Sequence, residues 1–450
     1  MNGVKIAMAD FAKFNFQNED DLKETIAHLE LEIPWENDLS ALLLERTVQG
    51  KSVANSMAIH PMEGCDANED GSPSKLTWKR YKDFARGGAG LIWWEATSVV
   101  NEGKSNPHQL VINEETKENL ATLVEEVNRE GTSKNGFKPL NILQLNHSGR
   151  YSKPRGKNEP FFVFHDPQLD ERVGISKEDQ PVGDEYLKSL IPAYIKAAEL
   201  ARDSGFDGVD IKVCHRYLLS ELVAGFTRDG SFGGTYEKRV KIIEEIVEGL
   251  REKVGNDLVL TSRLNVFDGI PYPFGWGVDR NDEKKFDLSE PIKLIKSLAE
   301  KGVEIFSITA GDPRLKPYMV RPFDRKIVPT DPPEHPLEGV NRHFQLTEAV
   351  SKEVPEKIVM GAGYTWLRQF FPYIAAGNLK NGRADMVGVG RMAFAYPDFA
   401  KDIMSKGCLE RNKSCISCSM CSELMIKGGP TGCVIRNRDP YQKLYREKVK

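Results

Sequence analysis

The sequence predicts an α/β protein: a (β/α)8 TIM barrel with an N-terminal extension and a C-terminal segment rich in cysteine. Three observations lead there. Eight short apolar runs alternate with longer amphipathic stretches over roughly 350 residues, the strand–helix rhythm of that barrel. Nearly every run stops at a polar, glycine or cationic residue, as expected where the loops at one face of a barrel share a site. No Gly-x-Gly-x-x-Gly follows an early run, which weighs against the alternative, a doubly wound open sheet.

In chain order, residues 1–50 are acidic and helix-like and read as an extension lying on the larger domain. The barrel is assigned to 51–405. Its expected strands are "VANSMAI" (53–59), "GAGLIWWEA" (88–96), "PLNILQL" (139–145), "FDGVDIK" (206–212), "DLVLTSRL" (257–264), "VEIFSIT" (303–309), "KIVMGAG" (357–363) and "ADMVGVG" (384–390). "EETKENLATLVEEVNREG" and "YLKSLIPAYIKAAELARDSG" read as helices ended by glycine, and "YEKRVKIIEEIVEGLREKVG" and "PIKLIKSLAEKG" repeat the pattern. A long polar insertion (151–183) follows the third strand, and 406–450 form the last segment.

Composition sets the partners. The chain is 40% hydrophobic and 28% charged, a globular profile. Its net charge of −4 leaves no basic patch for nucleic acid, and no run of eighteen apolar residues can span a membrane. The start lacks the apolar core and cleavage site of a signal peptide, so the expected compartment is the cytoplasm, where thiols stay reduced. Four of the seven cysteines nevertheless crowd into C-x2-C-x2-C-x11-C, at Cys415, Cys418, Cys421 and Cys433, which suggests metal rather than disulfides. Two readings stand. Structural zinc sites pair two C-x2-C knuckles, whereas cysteines at successive three-residue steps with a remote fourth can hold the corners of a [4Fe–4S] cubane. Cys65, Cys214 and Cys408 read as non-ligands.

The strand ends carry the chemistry: "HPMEG", "EATS", "QLNHSGR", "KVCHRY", "SRLNVFDG", "TAGDPRLKPY", "GAGYT" and "GVGRM". Glycines at the last two let backbone N–H groups approach an anion at a helix start, and an arginine adds charge. Gly361, Gly363, Gly390 and Arg391 are thus a candidate phosphate cradle. Tyr272, Trp276, Tyr318 and Arg321, in the loops after the fifth and sixth strands, are candidate pocket linings.

The stretch "VANSMAIHPMEGCDANEDGSPSKLTWKRY…GGAGLIWWEATSV", with "QLNHSGR", "DGVDIKVCHRYLLSELV…TRDGSFGGTYEKR" and "GVGRM", resembles the Old Yellow Enzyme family of FMN-dependent ene-reductases. It looks most like the iron–sulfur branch that includes 2,4-dienoyl-CoA reductase and trimethylamine dehydrogenase. The resemblance runs from about residue 45 to about residue 436. It implies that the backbone around Ala58, Ile59, His60, Pro61 and Met62 lines the flavin ring, that Ala96 touches it, that Gln144 binds its pyrimidine edge, and that Arg263 sits where negative charge collects on reduction. Lys212 and His215 match the pair that polarises a substrate carbonyl, and Tyr217 matches the general acid that protonates the α carbon after hydride reaches the β carbon. Lys212 departs from the pair usual there, two His or a His and an Asn, and Glu63, following "HPM", is unexplained.

The resemblance also favours the cluster over zinc. It makes the chain an enoate-reductase-like enzyme acting on a C=C bond conjugated to a carbonyl. The alternative is an oxidative, amine-demethylase-like dehydrogenase passing electrons out through the cluster. A separate electron-donor protein is expected, with NAD(P)H as a direct donor the other possibility; oxygen-free surroundings are expected too, and a homo-oligomer, with the N-terminal extension as a candidate subunit contact.

Overall fold

The structure is a computed structural model describing residues 11–325 and 331–450. Eight parallel strands close on themselves: β1 (Met57–Ile59), β2 (Leu91–Ser98), β3 (Leu140–Asn146), β4 (Gly208–Ile211), β5 (Val259–Phe267), β6 (Val303–Ala310), β7 (Ile358–Gly361) and β8 (Met386–Val389). β8 pairs with β1 through Val387–Met57, Gly388–Ala58 and Val389–Ile59, so no edge remains and the open-sheet alternative falls.

Alternation along each strand sorts the apolar residues. Ala58, Leu91, Trp93, Leu140, Ile142, Val259, Ile305, Met360 and Met386 form a cluster that also takes Val48 and Val53 from an antiparallel hairpin, Arg46–Val48 with Lys51–Val53. The hairpin thereby plugs the N-terminal end of the barrel. Its two turn residues, Gln49 (φ 47°) and Gly50 (φ 74°), both take the left-handed backbone that matches strand twist. The expected strand 53–59 is therefore two features: Val53 ends the hairpin, and the barrel strand starts at Met57.

Helices cover the outside because their apolar residues recur every three or four positions. Tyr236–Val254 buries Val240, Ile243, Val247, Leu250 and Val254 on one face. The first expected helix runs Lys117–Asn135, past Gly131 to Gly136 (φ 81°). Gly131 does not stop it; a Cβ there would stand 2.8 Å from Pro139, so this glycine serves close packing.

The extension lies on the barrel. Phe14 meets Trp366 edge-on at 5.3 Å and Trp35 stacks on Tyr373 at 4.9 Å. Beyond β8 come the helices Phe399–Lys406, Met420–Ile426 and Arg438–Lys448; Leu424, Val434, Tyr441 and Tyr445 make a small core of their own. Among the described residues no helix is long and apolar enough to cross a membrane.

Candidate active site

Three adjoining cavities open at the C-terminal ends of the strands. The inner one, about 540 Å³, is lined by Pro61, Met62 and Glu63 after β1, Gln144 on β3, Lys212, His215 and Tyr217 after β4, Arg263 on β5, Arg314 and Arg321 after β6, and Arg391 after β8. A second, of about 140 Å³, shares Pro61, Met62, Arg263, Arg321 and Arg391 and adds His60, Gly363, Thr365, Trp366, Gly388 and Gly390. The outer one, about 600 Å³, shares Glu63, Arg172 and Arg314 with the inner one and adds Ser105 and Lys153.

The inner wall holds a charged network. The Tyr217 hydroxyl donates to Glu63 Oε1 at 2.6 Å and accepts from Arg314 Nη2 at 3.2 Å. Ser105 donates to Glu63 Oε2 at 2.7 Å, and Lys212 Nζ lies 3.5 Å from Glu63 Oε1 and 3.7 Å from the Tyr217 ring centre. Burial works to raise the Glu63 carboxyl, but Lys212, the two hydroxyls and Arg314 together hold it below the ordinary carboxylate range. Burial first, then the Glu63 charge, pushes the Tyr217 phenol up, so it stays protonated. Burial lowers the Lys212 ammonium although Glu63 opposes this. His215 stands at φ 62°, its Nε2 buried without a partner; burial, with Arg263 and Lys212 nearby, keeps its ring neutral.

The second cavity is cationic and lacks a counter-charge. Among the described residues no carboxylate pairs with Arg263, Arg321 or Arg391, and a buried nitrogen of each has no partner: Nε of the first two and Nη1 of Arg391. Arg391 gives Nη2 to the Pro322 carbonyl at 2.7 Å, and Arg321 gives Nη2 to Ser422 Oγ at 3.0 Å. Burial and the Arg391 charge push Arg321 down to about 10. His60 also leaves both ring nitrogens unpartnered. Gly388 faces that ring so closely that a Cβ would come within 2.3 Å of it. Unpaired buried cations are costly unless an anion completes them, so this wall fits a phosphate.

A family model described as the NADH:flavin oxidoreductase / NADH oxidase family matches residues 47–302, more than half of the chain. The chain belongs to this family. It is accordingly an FMN-dependent oxidoreductase. The NADH oxidase of Thermoanaerobacter brockii is 26% identical over 386 residues, covering 84% of this chain and 53% of that protein, so the chain spans about half the length of that relative. The NADPH dehydrogenase of Bacillus licheniformis is 25% identical over 360 residues, 79% of this chain and 91% of that one. A 2-naphthoyl-CoA reductase in complex with 2-naphthoyl-CoA shares the fold at TM-score 0.71 and 20% identity, covering 91% of this chain and 58% of that one. A histamine dehydrogenase from Rhizobium sp. 4-9 does so at 0.65 and 17%, covering 89% and 52%.

Within this flavin oxidoreductase, the residues expected at the site divide. His60, Pro61, Met62, Gln144, Lys212, His215, Tyr217, Arg263, Gly363, Gly390 and Arg391 line the inner or second cavity. Ala58 and Ile59 do not; they belong to the core on either side of β1. Ala96 is fully buried with its carbonyl taken by Gln109 Nε2 at 2.8 Å, and Gly361 packs against Tyr364. Gln144 gives Nε2 to Asp210 Oδ2 at 2.5 Å, which leaves its carbonyl oxygen without a protein donor.

The expected helix dipole at the phosphate wall is slight, because the helix after β8, Arg391–Ala395, has five residues. Guanidinium charge replaces it. Of the loop residues, Arg321 lines both cavities, but Trp276 is buried with Nε1 on the Asn265 carbonyl, and Tyr272 is an exposed ring against Phe226. Tyr318 packs on the core. Arg314, Ser105, Lys153 and Arg172 were not anticipated, although "GDPRLKPY" contains the first.

Cys415, Cys418, Cys421 and Cys433 line one small cavity with Arg391, Phe394 and Ser419. Ser417 (φ 52°) and Ser419 (φ 58°) twist the chain between the first three, and backbone N–H groups of Ser417 and Arg436 point at Cys415 Sγ (3.4 Å) and Cys433 Sγ (3.3 Å). Among the described residues no three His, Cys, Asp or Glu side chains gather to hold a metal ion. Arg391, Phe394 and Cys421 line this cavity and the inner one alike.

Proposed function

We propose that this oxidoreductase reduces a C=C bond conjugated to a carbonyl. The observation that carries the reading is the Tyr217 hydroxyl, held in the wall that also presents His215 and Arg263, with Arg314 on its oxygen. FMN, when bound, supplies hydride chemistry at its N5 position. Arg321 and Arg391 would hold its phosphate, Met62 would line its ring, and the Gln144 carbonyl oxygen and Arg263 would meet its polar edge. His215 donates a hydrogen bond to the substrate carbonyl, and Tyr217 gives its proton to the α carbon. Lys212 is drawn away from the carbonyl by Glu63, so it steadies the phenol instead.

The outer cavity points to an anionic substrate. Lys153, Arg172 and Arg314 line it, and no carboxylate pairs with any of them among the described residues. The four cysteines offer an all-thiolate set with N–H donors to sulfur and a neighbouring guanidinium, which suits a [4Fe–4S] cluster that receives electrons from a separate cytoplasmic donor protein. The oxidative, amine-dehydrogenase-like direction is the second reading, favoured by the fold shared with histamine dehydrogenase.

Anaerobic purification with iron and sulfide quantitation tests the cluster, and a colourless or zinc-loaded protein would sink it. A screen of enones, enoates and enoyl thioesters with dithionite-reduced methyl viologen tests the reaction. Turnover is expected, with Tyr217→Phe slowing it by roughly 10²–10⁴-fold. Oxidation of amines without reduction of any alkene would select the second reading.

A further inference from the structure

Glu63 joins two compartments. Its Oε1 accepts from the Tyr217 hydroxyl and its Oε2 from the Ser105 hydroxyl, at 2.6 and 2.7 Å. Glu63 lines both the inner and the outer cavity, Tyr217 only the inner, Ser105 only the outer. The sole other partner of the Tyr217 hydroxyl among the described residues is Arg314, and a guanidinium does not release its proton in a protein. Lys212 approaches the ring face and Glu63, and no hydrogen bond joins it to the hydroxyl. Once ligands fill the inner cavity, Glu63 is the one hydrogen-bonded neighbour that can hand a proton back.

We propose that Glu63, fed through Ser105 from the outer cavity, returns the proton to Tyr217 after each turnover. The proposal rests on Tyr217 being the acid of an alkene reduction. Its balance is simple. The Tyr217 O–H bond breaks as a C–H bond forms at the substrate α carbon. The Glu63 carboxylate takes a proton from water in the outer cavity by way of the Ser105 hydroxyl, and the phenolate then takes a proton from the Glu63 carboxyl so formed. One solvent proton enters per turnover, and no electron moves in the relay. Arg314 on the hydroxyl and Lys212 over the ring face carry positive charge that lowers the cost of the transient phenolate.

Glu63→Gln keeps the side chain's size and its contact with Tyr217 but cannot relay a proton. With excess reduced methyl viologen and 2-cyclohexenone, the wild-type holoenzyme is expected to turn over linearly. The Glu63→Gln enzyme should release one product per site in a burst, then slow by roughly 10²-fold. Formate should speed the slow phase of Glu63→Ala and leave Tyr217→Phe unchanged, a rescue that a purely structural role would not give. Ser105→Ala, a smaller change, should show a weaker burst and serves if the Glu63 variants fold poorly. Linear, wild-type-rate turnover in Glu63→Gln and Ser105→Ala, with no response to formate, overturns the relay and leaves the alkene reduction standing. A wild-type enzyme inert toward enones, enoates and enoyl thioesters alike overturns both.

Discussion

Two groups of arginines lie a short way apart in this protein and do opposite things. Arg150 gives Nε to Glu221 at 2.9 Å and Nη2 to the Phe164 carbonyl at 2.7 Å, and also pairs with Asp170. Arg216 bridges Asp166 and Asp268 at 3.0 and 3.3 Å, and Arg80 bridges Asp66 and Glu95. These side chains are buried, and each charge is matched. Arg150 and Arg216 pin the 151–183 insertion to the barrel, while Arg80 ties the loop after β1 to β2; Asp166, besides holding Arg216, caps the helix Pro167–Val173 through the Gln168 N–H. Arg263, Arg321 and Arg391, by contrast, have no carboxylate among the described residues and share the wall of one cavity. A guanidinium already neutralised can only hold structure, whereas one left without a counter-ion is completed by a ligand.

The largest expected effect tests the matched group. Arg150→Met leaves the Glu221 carboxylate buried and uncompensated, and should cost about 3–5 kcal/mol of stability, read as a fall in the urea midpoint of the apoprotein. The unmatched group should behave in reverse. Arg391→Gln removes an uncompensated charge, so the apoprotein should be as stable as wild type or more so, while FMN affinity falls by roughly 10–100-fold for the loss of one charge-assisted hydrogen bond, measured by fluorescence titration. A stability loss in Arg391→Gln as large as in Arg150→Met would erase the distinction between the groups.

Asp210 sharpens the comparison. It is the carboxylate beside Arg263, yet it accepts that residue's backbone N–H at 2.7 Å rather than its guanidinium, along with Trp93 Nε1 at 2.9 Å. Burial raises it to about 6 against those hydrogen bonds. A carboxyl raised on folding stabilises the native state while protonated, so this contribution is present below the unfolded value near 3.8 and is lost as pH rises through about 6. Asp210→Asn should remove a pH-dependent difference of about 2–3 kcal/mol across that window, seen as a converging gap between variant and wild-type unfolding curves at acid pH. The smallest effect is at the rim. Arg172→Ala should raise KM by about 2–5-fold for an enoate bearing a second carboxylate and leave a neutral enone unchanged, because an exposed charge contributes little more than that.

Much of this was legible in the chain itself. Strand periodicity and the residues at strand ends located the barrel, and "KVCHRY", "QLNHSGR" and "GVGRM" brought Lys212, His215, Tyr217, Gln144 and Arg391 to one cavity, because in a closed barrel every strand's C-terminal end faces the same mouth. The cysteine spacing likewise marked a shared cavity, since steps of three residues keep side chains on one side of a turning chain.

What only the tertiary structure decided is which charges meet. Glu63 looked out of place in sequence, and Arg314 was one cation among many; 251 residues separate them, and both reach the Tyr217 hydroxyl. Ala58 and Ile59 sit in the right segment, yet strand alternation turns them into core, and Trp276 and Tyr318 pack rather than line because their loops fold back on the barrel. Local pattern fixes where a strand ends and which way its side chains alternate, because those are properties of neighbouring residues. Whether a buried charge is matched or left for a ligand depends on partners from distant strands, and only chain closure sets those distances.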